Sequence, residues 1–141
     1  MDVTGALLVV VVLLAASGFA LYRRRTDGRL AAAPASAPPT LVSPGELGEP
    51  LGPRATLVQF SSAFCQPCRA TRQILDDVST MVDGVRHVEV DAEDNLDLVR
   101  RLDVMRTPTV LVLDAGGRIV RRASGQPRKA DVIAALGEAI A

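Results

Sequence analysis

Apolar positions follow two different patterns along this chain. From Val3 to Tyr22 they run for 20 residues without a charge, whereas from Ala55 onward short apolar runs alternate with polar positions. A helix of the first length rises about 30 Å, the thickness of a bilayer's hydrocarbon core, so a transmembrane anchor is predicted over 1–22. Tyr22 and the cluster Arg23, Arg24, Arg25 follow it directly, and Asp2 is the only charged side chain before it. An aromatic and cationic girdle on that side predicts a single-pass span with the Arg cluster, and everything after it, in the cytoplasm. The alternative is a cleaved signal peptide, with Ala15 to Gly18 as small residues for processing, but its positive charge belongs before the apolar run.

Residues 23–53 are rich in Ala, Pro, Gly and Ser. Such a stretch has too little apolar surface to offset chain entropy and reads as a semi-extended linker, with a short helical turn near Ser43 to Leu47. Beyond it, 54–141 has the pattern of one domain. Ala55 to Phe60 is β-prone; Ile74, Leu75, Val78 and Met81 fall at helical spacing; and Val85 to Asp91 alternates, with Val88 and Val90 on its apolar side. Leu96, Val99 and Leu102 suit a short helix opened by Asp94 or Asn95. Thr109 to Leu113 and Arg118 to Arg122 read as a hairpin across Asp114 to Gly117, and a last helix from Pro127 to Ile140 carries Val132, Ile133, Leu136 and Ile140 as a stripe. Strand, helix, strand, helix, hairpin, helix is an α/β order.

Composition narrows the function. The 16 basic and 16 acidic residues cancel, so no basic surface is available for a nucleic-acid backbone. Two cysteines alone do not make a disulfide-rich secreted scaffold.

Those cysteines, Cys65 and Cys68, lie three apart where a strand gives way to a helix. The first sulfur then sits at the helix amino terminus, where unpaired amides and the helix dipole favour negative charge, and the second lies one turn inside. An ordinary thiol with a pKa near 8.5 is only about 3% ionised at pH 7, while a value near 7 makes it about half thiolate, the attacking species. Cys65 is the candidate nucleophile and Cys68 the resolving thiol. Pro67 fixes φ at the helix entry, Gln66 tunes the potential, and Arg69 adds a cation. A structural staple is the alternative, but closing four residues removes only roughly 2 kcal/mol of unfolded-chain entropy. Zinc would need two more ligands, and His87 supplies at most one. His87 itself reads as solvated on a strand edge. The acidic run Asp91, Glu93, Asp94, Asp97 reads as a solvated loop without the glycine and terminal glutamate of a calcium site.

The segment Thr56-Leu-Val-Gln-Phe-Ser-Ser-Ala-Phe-Cys65-Gln-Pro-Cys68-Arg resembles the strand, active-site loop and helix of thioredoxins, and Val88-Glu-Val-Asp91, Thr107-Pro-Thr109 and Gly125 extend the likeness. The resemblance implies a thioredoxin fold, a central mixed sheet flanked by helices, over 54–141. It implies a cis bond before Pro108, with that proline against the cysteine pair and Thr107 lining a peptide groove. Gln59 stands where thioredoxins carry a buried acid that helps deprotonate the resolving cysteine, and Phe64 where a tryptophan is usual. The expected activity is thiol–disulfide exchange on protein substrates by a monomer without cofactor or metal. Nothing resembles a nucleotide-binding motif, so electrons would come from a dithiol protein or a reductase. Two alternatives stay open: an extracytoplasmic reductase or oxidase serving envelope proteins or cytochrome maturation, and a non-enzymatic binding module.

Overall fold

The computed structural model describes residues 2–33 and 37–141; the part of the expected linker at Pro34 to Ser36 lies outside the described residues. The uncharged run forms helix α1 (Val3–Thr26), one turn longer than its apolar stretch because Arg23 to Arg25 continue it. Cations in a last turn are favourable against the helix dipole. No residue of α1 is buried.

The composition predicts a tether through Pro53, yet the chain docks on the domain well before that. Strand β1 (Ala31–Ala32) pairs with the edge of the sheet, and Leu41 bridges to Arg118. The expected helical turn is α2 (Pro44–Leu47). It is closed by a capping box in which Glu46 N–H donates to Ser43 Oγ (3.3 Å) and Ser43 N–H donates to Glu46 Oε2 (2.9 Å). Val42 and Leu47 are buried, an outcome a Pro- and Gly-rich context conceals. Gly117 makes room for the Val42 backbone: its φ is +85°, and a Cβ there would sit 2.4 Å from the Val42 carbonyl.

The remaining elements are β2 (Ala55–Ser61), α3 (Gln66–Met81), β3 (Val85–Asp91), α4 (Leu96–Arg101), β4 (Thr109–Asp114), β5 (Ile119–Ser124) and α5 (Lys129–Ile140). The sheet order is β1-β5-β4-β2-β3, with β2 and β3 parallel and the other pairs antiparallel. Strand β2, buried along its whole length, is the axis of the domain. Its side chains alternate between two cores. Val58 and Phe60 join Val42, Leu47, Leu98 and Leu111 on one face, while Ala55 and Leu57 join Leu75, Val78, Val132 and Leu136 beneath α3 and α5 on the other.

Three expected core positions differ. Leu96 is exposed and Leu98 is buried in its place, because α4 starts after Asn95 and turns that residue inward. Met81 at the end of α3 and Ile133 in α5 are also exposed; Ala135 and Ala139 complete the α5 stripe.

Candidate active site

Strand β2 delivers the chain to one end of the sheet, where residues 62–65 turn back into α3. The turn passes through Phe64 at φ +58°, a left-handed conformation that costs a non-glycine residue roughly 1–3 kcal/mol and persists only where the surroundings impose it. Its ring is fully exposed beside the cysteines. Cys65 is the N-cap of α3, and the amide of Cys68 donates to its sulfur at 3.2 Å. Pro67 lies in the first turn and has no amide to offer, so Cys68 supplies the contact. Cys65 and Cys68 are joined in a disulfide with Cα atoms 5.2 Å apart. Cys65 is half-buried and Cys68 buried, whereas Gln66, Pro67 and Arg69 face solvent.

The second half of the site arrives from β4. Thr109 pairs with Phe60, which brings the peptide before it to the same sheet end as the cysteine loop. The Thr107–Pro108 bond is cis. The Thr107 hydroxyl lies 2.7 Å from that of Ser62, tying the two loops together, and the Pro108 carbonyl accepts from Gly125 N–H at 2.8 Å. Gly125 has φ +99°, and a Cβ there would meet the Arg106 guanidinium at 2.8 Å.

Beneath the disulfide lies Gln59, fully buried. Its amide nitrogen donates to the Cys68 carbonyl at 2.8 Å and to Ser61 Oγ at 2.9 Å. Its oxygen faces His87 Nε2 at 3.2 Å, and His87 Nδ1 lies 2.6 Å from an Asp76 carboxylate oxygen. The reading of His87 as solvated is therefore corrected. It does lie on the edge strand β3, but its side chain points under α3 and is only 7% exposed. One turn away on the same seam, Arg72 forms an ion pair with Glu89 (2.5 Å), and the Glu89 hydrogen bond and charge raise the guanidinium above its ordinary value.

The structure thus gathers Cys65, Cys68, Phe64, Gln66, Pro67, Gln59, Thr107 and Pro108 at one sheet end. Ser61, Ser62 and Asp76, which the structure adds around the pair, carry no mark in the sequence, and His87 reads there as solvated. For His87 a signal existed: parallel strands are covered on both faces, so a polar row on β3 need not face water. Among the described residues, no group of three or more His, Cys, Asp or Glu side chains is placed to hold a metal.

Residues 51–138 match the family model for thioredoxin. The chain belongs to the thioredoxin family. It is 29% identical over 90 residues to a thioredoxin of Alicyclobacillus acidocaldarius, covering 63% of this chain and 85% of that protein. To a Bacillus subtilis thioredoxin it is 28% identical over 75 residues, covering 52% and 72%. Among solved structures, a thioredoxin from Halobacterium salinarum superposes with a TM-score of 0.57 at 16% identity, over 62% of this chain and 76% of that one. Spinach chloroplast thioredoxin f gives 0.56 at 19% identity, over 64% and 80%. The mixed sheet with its flanking helices is the thioredoxin fold, and a thioredoxin with its CxxC pair intact is a thiol–disulfide oxidoreductase.

Proposed function

We propose that this protein is a membrane-anchored thioredoxin that reduces disulfides of proteins at the cytoplasmic face, with Cys65 as nucleophile and Cys68 as resolving thiol. The placement of Cys65 Sγ at the amino terminus of α3, accepting the Cys68 amide, carries this reading. Helix-end amides stabilise negative charge there, which favours the thiolate form of the reduced sulfur.

In the reaction the Cys65 thiolate attacks one sulfur of a substrate disulfide, forming a mixed disulfide and expelling the other sulfur as a thiolate. Cys68, deprotonated, then attacks Cys65 Sγ. The Cys65–Cys68 disulfide forms, the mixed disulfide breaks, and the second substrate sulfur leaves. The substrate gains two electrons and the dithiol loses them. The joined pair seen here is the product state, and a dithiol protein or reductase returns the two electrons. The exposed Phe64 ring beside the disulfide offers substrate an apolar contact.

The anchor rests on the uncharged run Val3 to Tyr22, and the cytoplasmic orientation on Arg23 to Arg25. A Cys68→Ser chain expressed in intact cells tests both parts. It is expected to accumulate mixed disulfides through Cys65, recovered with the membrane fraction and resistant to protease added outside. Absence of any thiol-sensitive adduct overturns the oxidoreductase roles. Digestion from outside overturns the orientation and favours the extracytoplasmic alternative.

A further inference from the structure

The Asp76–His87–Gln59 chain ends on the resolving cysteine, and its hydrogens can be assigned by elimination. The Cys68 carbonyl can only accept, so the Gln59 nitrogen must face it and the Gln59 oxygen must face His87. That oxygen also only accepts, so His87 Nε2 carries a hydrogen. The Asp76 carboxylate accepts from Nδ1, which therefore carries the other. Only the imidazolium satisfies both contacts at once.

Loss of one proton breaks this consistency. Asp76 retains the hydrogen on Nδ1, so the bare Nε2 lone pair meets the lone pairs of Gln59 Oε1. Turning the Gln59 amide over relieves that contact but points its oxygen at the Cys68 carbonyl, setting two acceptors against each other and breaking the bond that holds Cys68 from the Gln59 side. The charge on the His87 ring and the hold on Cys68 are thus two ends of one hydrogen-bond chain. Its outer end is open to solvent, since the Asp76 side chain is 59% exposed. The charged groups along the seam are Asp76 and Arg72 from α3 and Glu89 from β3, with Arg72 and Glu89 paired to each other. From β2 only the neutral Gln59 faces the ring.

We propose that His87 is a positioning residue for the resolving step: as an imidazolium held by Asp76 it fixes the Gln59 amide on Cys68, and on losing a proton it releases that hold. A side chain whose charge ordinarily changes between pH 5 and 8 then makes ring closure by Cys68 sensitive to pH near neutrality. This inference rests on the dithiol reading above.

The test uses the full chain, reduced, in detergent, mixed with an aromatic disulfide in a stopped-flow instrument. Capture by Cys65 releases one coloured thiolate and ring closure by Cys68 releases a second, so the second phase isolates the resolving step. In the wild type the rate of that phase is expected to show an inflection between pH 5 and 8 superimposed on the rise from Cys68 ionisation. His87→Gln, a neutral donor at every pH, should lose the inflection and keep only the rise. His87→Leu, with no donor, should close about tenfold more slowly at pH 6, the equivalent of one buried hydrogen bond. Asp76→Asn, which takes the carboxylate away from Nδ1, should change the pH profile of that phase, and it serves as the second variant if His87→Leu does not fold. A merely structural role for His87 would lower thermal stability and leave the inflection in place. Identical pH profiles in the wild type, His87→Gln and Asp76→Asn overturn the inference alone. Absence of a second phase in the wild type overturns the dithiol reading and this inference with it.

Discussion

Helices α1 and α3 place their apolar side chains in opposite ways. Helix α1 is apolar on every side, and the protein buries none of it. Helix α3 turns Cys68, Thr71, Leu75 and Val78 toward the sheet and leaves Arg69, Arg72 and Gln73 in water. Its stability comes from tertiary packing of one stripe, as for most helices in water. Helix α1 has no such partner and satisfies its own backbone, which is the arrangement a bilayer accepts. One helix is thus shaped by the fold and the other, on the anchored reading, by the bilayer, and each should fail without the other noticing.

That independence can be broken experimentally. The largest effect is expected from Leu75→Ala, which empties a fully buried site and should cost the domain about 2–5 kcal/mol, read from the denaturant midpoint with membrane association unchanged. The complementary change is Val12→Arg at the middle of α1, expected to cost insertion about 3 kcal/mol, read by fractionation, with the domain's melting temperature unmoved. If either variant shifted both readouts, the two helices would not be energetically separate.

A smaller change probes the segment joining them. Ser43→Ala removes the N-cap of α2 and should cost about 0.5–2 kcal/mol, measured by denaturation. Smaller still is Glu46→Gln. The bond from the Ser43 amide holds the Glu46 carboxyl below its ordinary range, aided by the Arg101 charge. The resulting stability is complete above the unfolded carboxylate range and is lost as pH falls through the folded value. The wild type should therefore lose more stability than E46Q on acidification, and parallel acid titrations of the two would remove Glu46 from this account.

The sheet and the cysteine loop were legible because their signals are local. An apolar strand, a three-residue spacing and a Thr-Pro dipeptide each act within a few residues. The less legible features depend on distant partners. Val42 packs beside a turn some seventy residues later that has a glycine, Gly117, where a Cβ would press on the Val42 carbonyl, and nothing local in the sequence announces that meeting. Leu96 and Leu98 are equally apolar, and the start of α4 decides which one points inward. His87 belongs to a row that looks outward in the sequence until α3 is laid over it.

Pairing of Ala31–Ala32 with β5 also bears on how far the catalytic end can travel. A chain free from Asp27 to Pro53 would give the domain a leash on the order of 90 Å when fully drawn out, whereas the four residues 27–30 between α1 and β1 extend at most about 14 Å. Even those are fastened, since Gly28 N–H donates to the Ser124 carbonyl at 2.8 Å and Arg106 pairs with Asp27. On the anchored reading the disulfide works at a fixed height above the lipid, so substrates are sorted by where their own disulfides stand relative to the bilayer before any side chain is recognised.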